Sequence, residues 1–142
     1  MIRVFIIISF LFFNGCSTLK KEVVNCPKLI SPKKAAEIVV DSDNNFSVYL
    51  GLRGVQTYCV VDGDNIQMDI SVNIRAIRSD TKEEDFVPVN ISVVSIDLNE
   101  KEFDRDEFSY SHFLLKGSRI VDRATTFDLK VPAGGRVLLG IR

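Results

Sequence analysis

The chain has 142 residues, enough for one domain of ordinary size and too few for two. Its apolar fraction of 46% excludes a largely disordered polypeptide. A formal net charge of −1 supplies neither the basic face that nucleic acid requires nor a long acidic tail.

The N-terminus is the first readable element. Arg3 gives a short charged start, residues 4–13 are apolar apart from Ser9, and Asn14, Gly15 and Cys16 follow. A charged start, an apolar stretch of about 7–15 residues and a small residue before the cut describe a secretory signal. A membrane-spanning helix needs about 20 apolar residues to cross about 30 Å of hydrocarbon, so this run is too short to be an anchor. The remaining choice lies between an ordinary signal with an incidental cysteine and a lipoprotein signal. Here Phe13-Asn14-Gly15-Cys16 resembles the bacterial lipobox, in which a small residue precedes an invariant cysteine. Gly15 and Cys16 match, whereas Phe13 and Asn14 stand where Leu and a small residue are usual. The resemblance implies a signal peptide over residues 1–15 and a diacylglycerol thioether on Cys16. It also implies further acylation, with palmitate or a similar chain, at the new amino terminus. Two or more acyl chains anchor stably because each buried methylene adds about 0.8 kcal/mol. Such a protein is held to the bilayer facing the periplasm. Ser17 resembles the enteric signal for transfer to the outer membrane, which favours that membrane over the inner one.

With Cys16 assigned to lipid, Cys26 and Cys59 remain as an even pair in a compartment that permits disulfides. A zinc site needs three or four Cys, His or carboxylate ligands, and the chain offers these two cysteines and His112 with no C-x-x-C spacing. A Cys26–Cys59 disulfide is therefore the expectation, and no metal or other cofactor is.

Residues 16–25 read as a polar lipidated tether, and residues 26–142 as the folded domain. Ser31 and Pro32 are placed as N-cap and first residue of a short helical turn, although Ile38, Val39 and Val40 favour strand. Residues 41–45 form a loop. Phe46, Val48 and Leu50 then alternate with polar positions; Gly51 and Gly54 interrupt, as glycine does at a bulge or bend, and Val55, Thr57, Cys59 and Val61 resume. Asp62-Gly63-Asp64-Asn65 predicts a hairpin turn. Ile66, Met68, Ile70, Val72, Ile74 and Ala76 keep strict period two, the pattern of a strand with one buried face. Residues 78–85 read as a charged loop. Val87, Val89, Ile91 and Val93 begin another strand whose phase slips to Val94, Ile96 and Leu98, which predicts a bulge there. A turn at residues 99–101 precedes a polar edge strand over 102–108. Residues 110–123 are too irregular to assign. Phe127, Leu129 and Val131 mark a strand, residues 132–135 a turn, and residues 137–141 a last strand. Six to seven strands with short connections predict an all-β antiparallel sandwich, immunoglobulin-like in type.

No catalytic constellation is legible. His112 is the only histidine and reads as a surface or loop residue. No serine lies in a G-x-S-x-G turn. Asp41 and Asp43 begin like a calcium-binding EF-hand loop, but Phe46 stands where Gly is needed and Leu52 where the bidentate Glu is needed. Asp62 and Asp64 suit turn chemistry, and Glu83, Glu84 and Asp85 a solvated loop. Tyr49, Tyr58 and Tyr110 are candidates for a ligand groove, against the commoner role of cross-strand partners.

The layout also resembles a group of small alphaproteobacterial lipoproteins of unknown function. The matching features are Gly15-Cys16, Cys26-Pro27, Thr57-Tyr58-Cys59 before a turn and long strand, Val131-Pro132-Ala133-Gly134-Gly135-Arg136-Val137, and the following Leu138-Leu139-Gly140-Ile141. The resemblance supplies no reaction. The expectation is a membrane-anchored periplasmic module of the cell envelope, non-enzymatic, with an envelope protein partner and no nucleic acid. The alternatives are a cell-wall or carbohydrate hydrolase and an assembly factor for an outer-membrane complex.

Overall fold

The computed structural model describes residues 21–142. The expectations for the signal peptide, Cys16 and Ser17 lie outside these residues. The described chain contains eight strands and one helical turn: β1 (Leu29–Ile30), α1 (Lys33–Ala36), β2 (Glu37–Asp41), β3 (Ser47–Asp62), β4 (Asn65–Ile77), β5 (Asp85–Ile96), β6 (Glu102–Leu114), β7 (Ile120–Pro132) and β8 (Arg136–Ile141). They form two four-stranded sheets, one in the order β2-β3-β4-β7 and the other β1-β8-β5-β6. This is the antiparallel sandwich expected from period-two patterning, with the short β1 and β2 raising the strand number to eight. The two-layer architecture is shared with immunoglobulin-like domains. The strand order has its own Greek key, in which β8 returns to lie beside β5 and β7 follows β6 across the gap between sheets.

The core lies between the inner faces. Met68, Ile70, Val72, Ile74 and Ala76 of β4 are fully buried against Val87, Val89, Ile91 and Val93 of β5, with Phe127, Leu129, Val137 and Leu139 completing the layer. Central β4 pairs on both edges along its whole length, so one face alone is wet and its alternation is the cleanest in the chain. Gly63, at φ 62°, opens the two-residue turn between β3 and β4, where glycine carries no steric penalty.

Cys26 and Cys59 form a disulfide with Cα atoms 5.3 Å apart. Just before it, Val24 N donates to Cys59 O and Val61 N to Glu22 O, at 3.0 and 2.8 Å. The last residues of the expected tether thus lie antiparallel against β3.

Several local expectations are revised. Ser31 does not cap α1: the parallel pairing of β1 with β8 brings its Oγ to Leu139 O, to which it donates at 2.8 Å, and Pro32 takes the N-cap. The phase of β5 does not slip after Val93. Ser95 continues the inner face, fully buried, because its Oγ donates to Lys130 O of β7 at 2.7 Å. The bulge is carried by the partner strand, where Phe103 is the extra residue between the pairs Ser95–Asp104 and Ile96–Glu102. The unassigned region 110–123 completes β6 and begins β7.

The charged loop is less solvated than its composition suggests. Arg78 is 6% exposed and Asp85 4%. The Arg78 guanidinium donates to the carbonyls of Ser118, Glu83 and Leu115 at 3.1, 2.9 and 2.6 Å, tying the β4–β5 and β6–β7 connections together. Burial raises the Asp85 pKa, but hydrogen bonds from Ser42 and the amides of Phe86 and Asn44, with the Arg78 charge, outweigh it and hold the carboxyl below its ordinary value.

Candidate functional site

The wet face of the β2-β3-β4-β7 sheet is built in rows of paired residues. Gly51, Arg75 and Asp122 form one row, followed by Gly54, Asn73 and Ala124, then Gln56, Ser71 and Thr126, then Tyr58, Asp69 and Asp128. A bulge makes this possible. Leu52 pairs with Ile74 and Gly54 with Asn73, leaving Arg53 as the extra residue, so that even-numbered residues of β3 face outward beyond it.

The two central rows are small or neutral and polar, and the flanking rows are tall. On one side the Tyr49 ring lies over Gly51, where an added Cβ would come within 3.0 Å of the phenol oxygen. The Arg53 guanidinium stands 5.7 Å from that ring, and Arg75 makes a bidentate pair with Asp122 at 2.8 and 2.9 Å. On the other side stands Tyr58, 53% exposed. Between these walls run two contiguous shallow clefts of about 370 and 240 Å³, sharing Gln56 and Ser71. Amide and hydroxyl groups line the floor, and Tyr58 offers an amphipathic ring at the rim. Such a trough supplies hydrogen bonds and one flat apolar surface to a ligand laid across the strands.

The trough opens at the β3 edge. Residues 53–58 are all exposed, including Val55 and Thr57, whose side chains fall on the inner face. On this edge β2 pairs only as far as Gly51, and Glu22–Val24 begins at Cys59.

The other sequence candidates lie elsewhere. Tyr110 is on the inner side of β6, stacked 5.4 Å from Phe108 with the Arg123 guanidinium 4.2 Å above its ring. Burial pushes its phenol up to about 12. His112 is 1% exposed, contrary to the surface or loop position expected for it. The continuation of β6 turns it inward, where Nε2 donates to Val121 O at 3.1 Å and Nδ1 accepts from the Tyr110 hydroxyl at 3.2 Å. Asp41 ends β2, Asp43 is in the β2–β3 connection, and Asp62 is at the hairpin, within 4.0 Å of Lys21 and 3.8 Å of Lys130.

Asp104 and Asp106 of β6 meet Asp128 and Lys130 of β7 where the sheets come together. Asp104 accepts from Lys130 N at 2.8 Å and Asp106 from Asp128 N at 3.2 Å. Burial, and then Asp69, Asp106 and Asp104, raise the Asp128 carboxyl above its ordinary value. Among the described residues no group of three or more His, Cys, Asp or Glu is placed to hold a metal ion.

Sequence reasoning named Tyr49 and Tyr58 but missed the trough floor, because Gln56, Ser71, Asn73 and Thr126 carry no motif. The bulge that aligns them was signalled by Gly51 and Gly54. No protein-family model, curated protein or solved structure matches the chain.

Proposed function

We propose that this chain is a membrane-anchored periplasmic lipoprotein that serves as a non-enzymatic binding module of the cell envelope. The trough across the β2-β3-β4-β7 sheet, walled by Tyr49 and Tyr58 and open at the β3 edge, is the observation that carries the binding role. The anchor rests on the lipobox resemblance at Gly15-Cys16 and the apolar run before it. Lipid on Cys16 keeps the module near a bilayer: the five residue-to-residue steps from Cys16 to Lys21 span at most about 18 Å. A partner must therefore present its surface close to the membrane.

The experiment is paired. Cells expressing the chain are labelled with a radioactive fatty acid, and envelopes are solubilised in detergent for affinity capture. The chain should incorporate label and Cys16→Ser should not. Capture should recover a reproducible envelope component, and Tyr58→Ala combined with Ser71→Arg should abolish that recovery. Label retained by Cys16→Ser would remove the anchor, and recovery unchanged by the double substitution would remove the trough.

A further inference from the structure

We propose that the open stretch of β3, residues 53–58, is a docking edge for an extended polypeptide segment of a partner, which adds as a strand to the β2-β3-β4-β7 sheet. The proposal rests on the binding-module reading and names the chemistry of its partner.

The backbone defines the site. Cys59 O and Val61 N turn toward the Glu22–Val24 segment. Alternate residues of a strand present both main-chain groups to the same edge, so those of Val55 and Thr57 face the same way. Among the described residues, no strand or side chain pairs with them. The gap lies between two occupied stretches of one edge, with β2 ending at Gly51 and Glu22–Val24 beginning at Cys59. A strand entering it would continue interfaces that this edge already makes twice. It would also cover Val55 and Thr57, which the fold turns inward and leaves exposed.

The opposite end of the same sheet is handled differently. There the free edge of β7 is blunted at residues 128 and 130 by side chains from the facing sheet. Asp106 accepts from Asp128 N, Asp104 from Lys130 N, and Ser95 donates to the carbonyl of Lys130. Proteins commonly blunt exposed edges in such ways because an unpaired edge recruits another strand. The β7 edge is thus blunted at Asp128 and Lys130, whereas among the described residues no such contact blunts β3 at Val55 and Thr57. Main-chain hydrogen bonds supply affinity in strand addition, and flanking side chains supply selectivity. Here Gln56 and Tyr58, which also line the trough, are placed for the second task.

The test follows amide hydrogen exchange by NMR in the full-length lipidated protein in detergent micelles. The probe is an acetylated and amidated hexapeptide alternating threonine and valine. Without peptide, the Val55 and Thr57 amides should exchange at least about a hundredfold faster than that of Gln56, which faces β4. Peptide at about 1 mM should slow both by about tenfold, the affinity range expected of main-chain pairing alone. The same peptide N-methylated at every residue should not slow them, nor should the unmodified peptide slow Thr57 in Val55→Pro. That variant removes one edge donor and keeps the fold, which the unchanged exchange of β4 amides will report.

Amides already slow in the free protein would overturn the proposal, as would rates unmoved by peptide. Slowing that follows protein concentration without peptide would replace the partner by a second copy and overturn it equally. A captured envelope component that leaves the Val55 and Thr57 amides fast would sink the docking edge and spare the module. Peptide protection without any captured component would do the reverse.

Discussion

The hydroxyl of Tyr110 lies 3.2 Å from Nδ1 of His112, and Nε2 lies 3.1 Å from Val121 O, which can only accept, so Nε2 carries the proton. Nε2 is then the donor to Val121 O on β7. In the neutral ring Nδ1 accepts from the Tyr110 hydroxyl, and His112 links the two sheets. Burial is the largest influence on it and lowers its pKa, with the Val121 carbonyl opposing.

The pH dependence follows in sign. A histidine whose folded pKa lies below its unfolded value of about 6.5 leaves the unfolded chain binding more protons between the two. Its stabilisation is complete above about pH 6.5 and is lost as the pH falls toward the folded pKa. The urea midpoint should drop between pH 7.5 and pH 5, and the drop should be smaller in His112→Gln. Equal slopes in the two proteins would show that His112 is not the titrating group. Tyr110→Phe, which leaves Nδ1 without its donor, should cost about 1–2 kcal/mol in the same assay.

Reduction of the Cys26–Cys59 disulfide should be costly. The bridge closes a 33-residue separation, for which chain entropy gives about 3–4 kcal/mol. The double substitution Cys26→Ala/Cys59→Ala should lower the unfolding free energy by that amount. It should also speed exchange at Val61, whose amide is held by Glu22 O just beside the bridge. A midpoint unchanged by reductant would show that the bridge contributes nothing to the folded domain.

Arg78 is the buried cation on which the far end of the sandwich converges. Its planar fork satisfies the carbonyls of Ser118, Glu83 and Leu115 together. A lysine has one point of charge in place of that fork, so Arg78→Lys should destabilise by about 2–3 kcal/mol. Thermal denaturation checks this, and a variant as stable as the parent would show the carbonyls to be satisfied by water instead.

The blunted stretch of the β7 edge gives a further expectation. Asp104→Ala with Asp106→Ala removes the acceptors of two edge amides, so exchange at Lys130 and Asp128 should accelerate by about tenfold or more. Self-association should rise with it, since an unsealed edge is a template for pairing. Sedimentation velocity would show a monomer if the seal has no such role.

Much of the fold was legible because most strands have one wet face. Residues 66–76 kept period two without interruption, and Gly51 with Gly54 marked the bulge that aligns the trough. Residues 110–123 were illegible for a physical reason: β6 is an edge strand with Phe113 on its outer face and His112 and Tyr110 on its inner one, which inverts the usual polarity. The apparent slip after Val93 arose because Ser95 is an inner residue, its hydroxyl bonded to Lys130 O. Arg78 and Asp85 looked like solvated charges, since sequence does not show that several carbonyls and amides converge on them. For the trough, the tyrosines stood out while its neutral floor did not. The openness of residues 53–58 has no sequence signature at all, because it depends on where β2 stops and where Glu22–Val24 begins.

The most direct test of the binding surface is photo-crosslinking in intact cells. A benzophenone amino acid is placed in the lipidated full-length chain at Thr57, at Tyr58 or at Lys116, an exposed residue at the far end of the sandwich. Illumination should give one and the same envelope adduct from positions 57 and 58 and none from position 116. Adducts from Lys116 alone, or the same adducts from all three positions, would contradict recognition through the β3 side of the sheet.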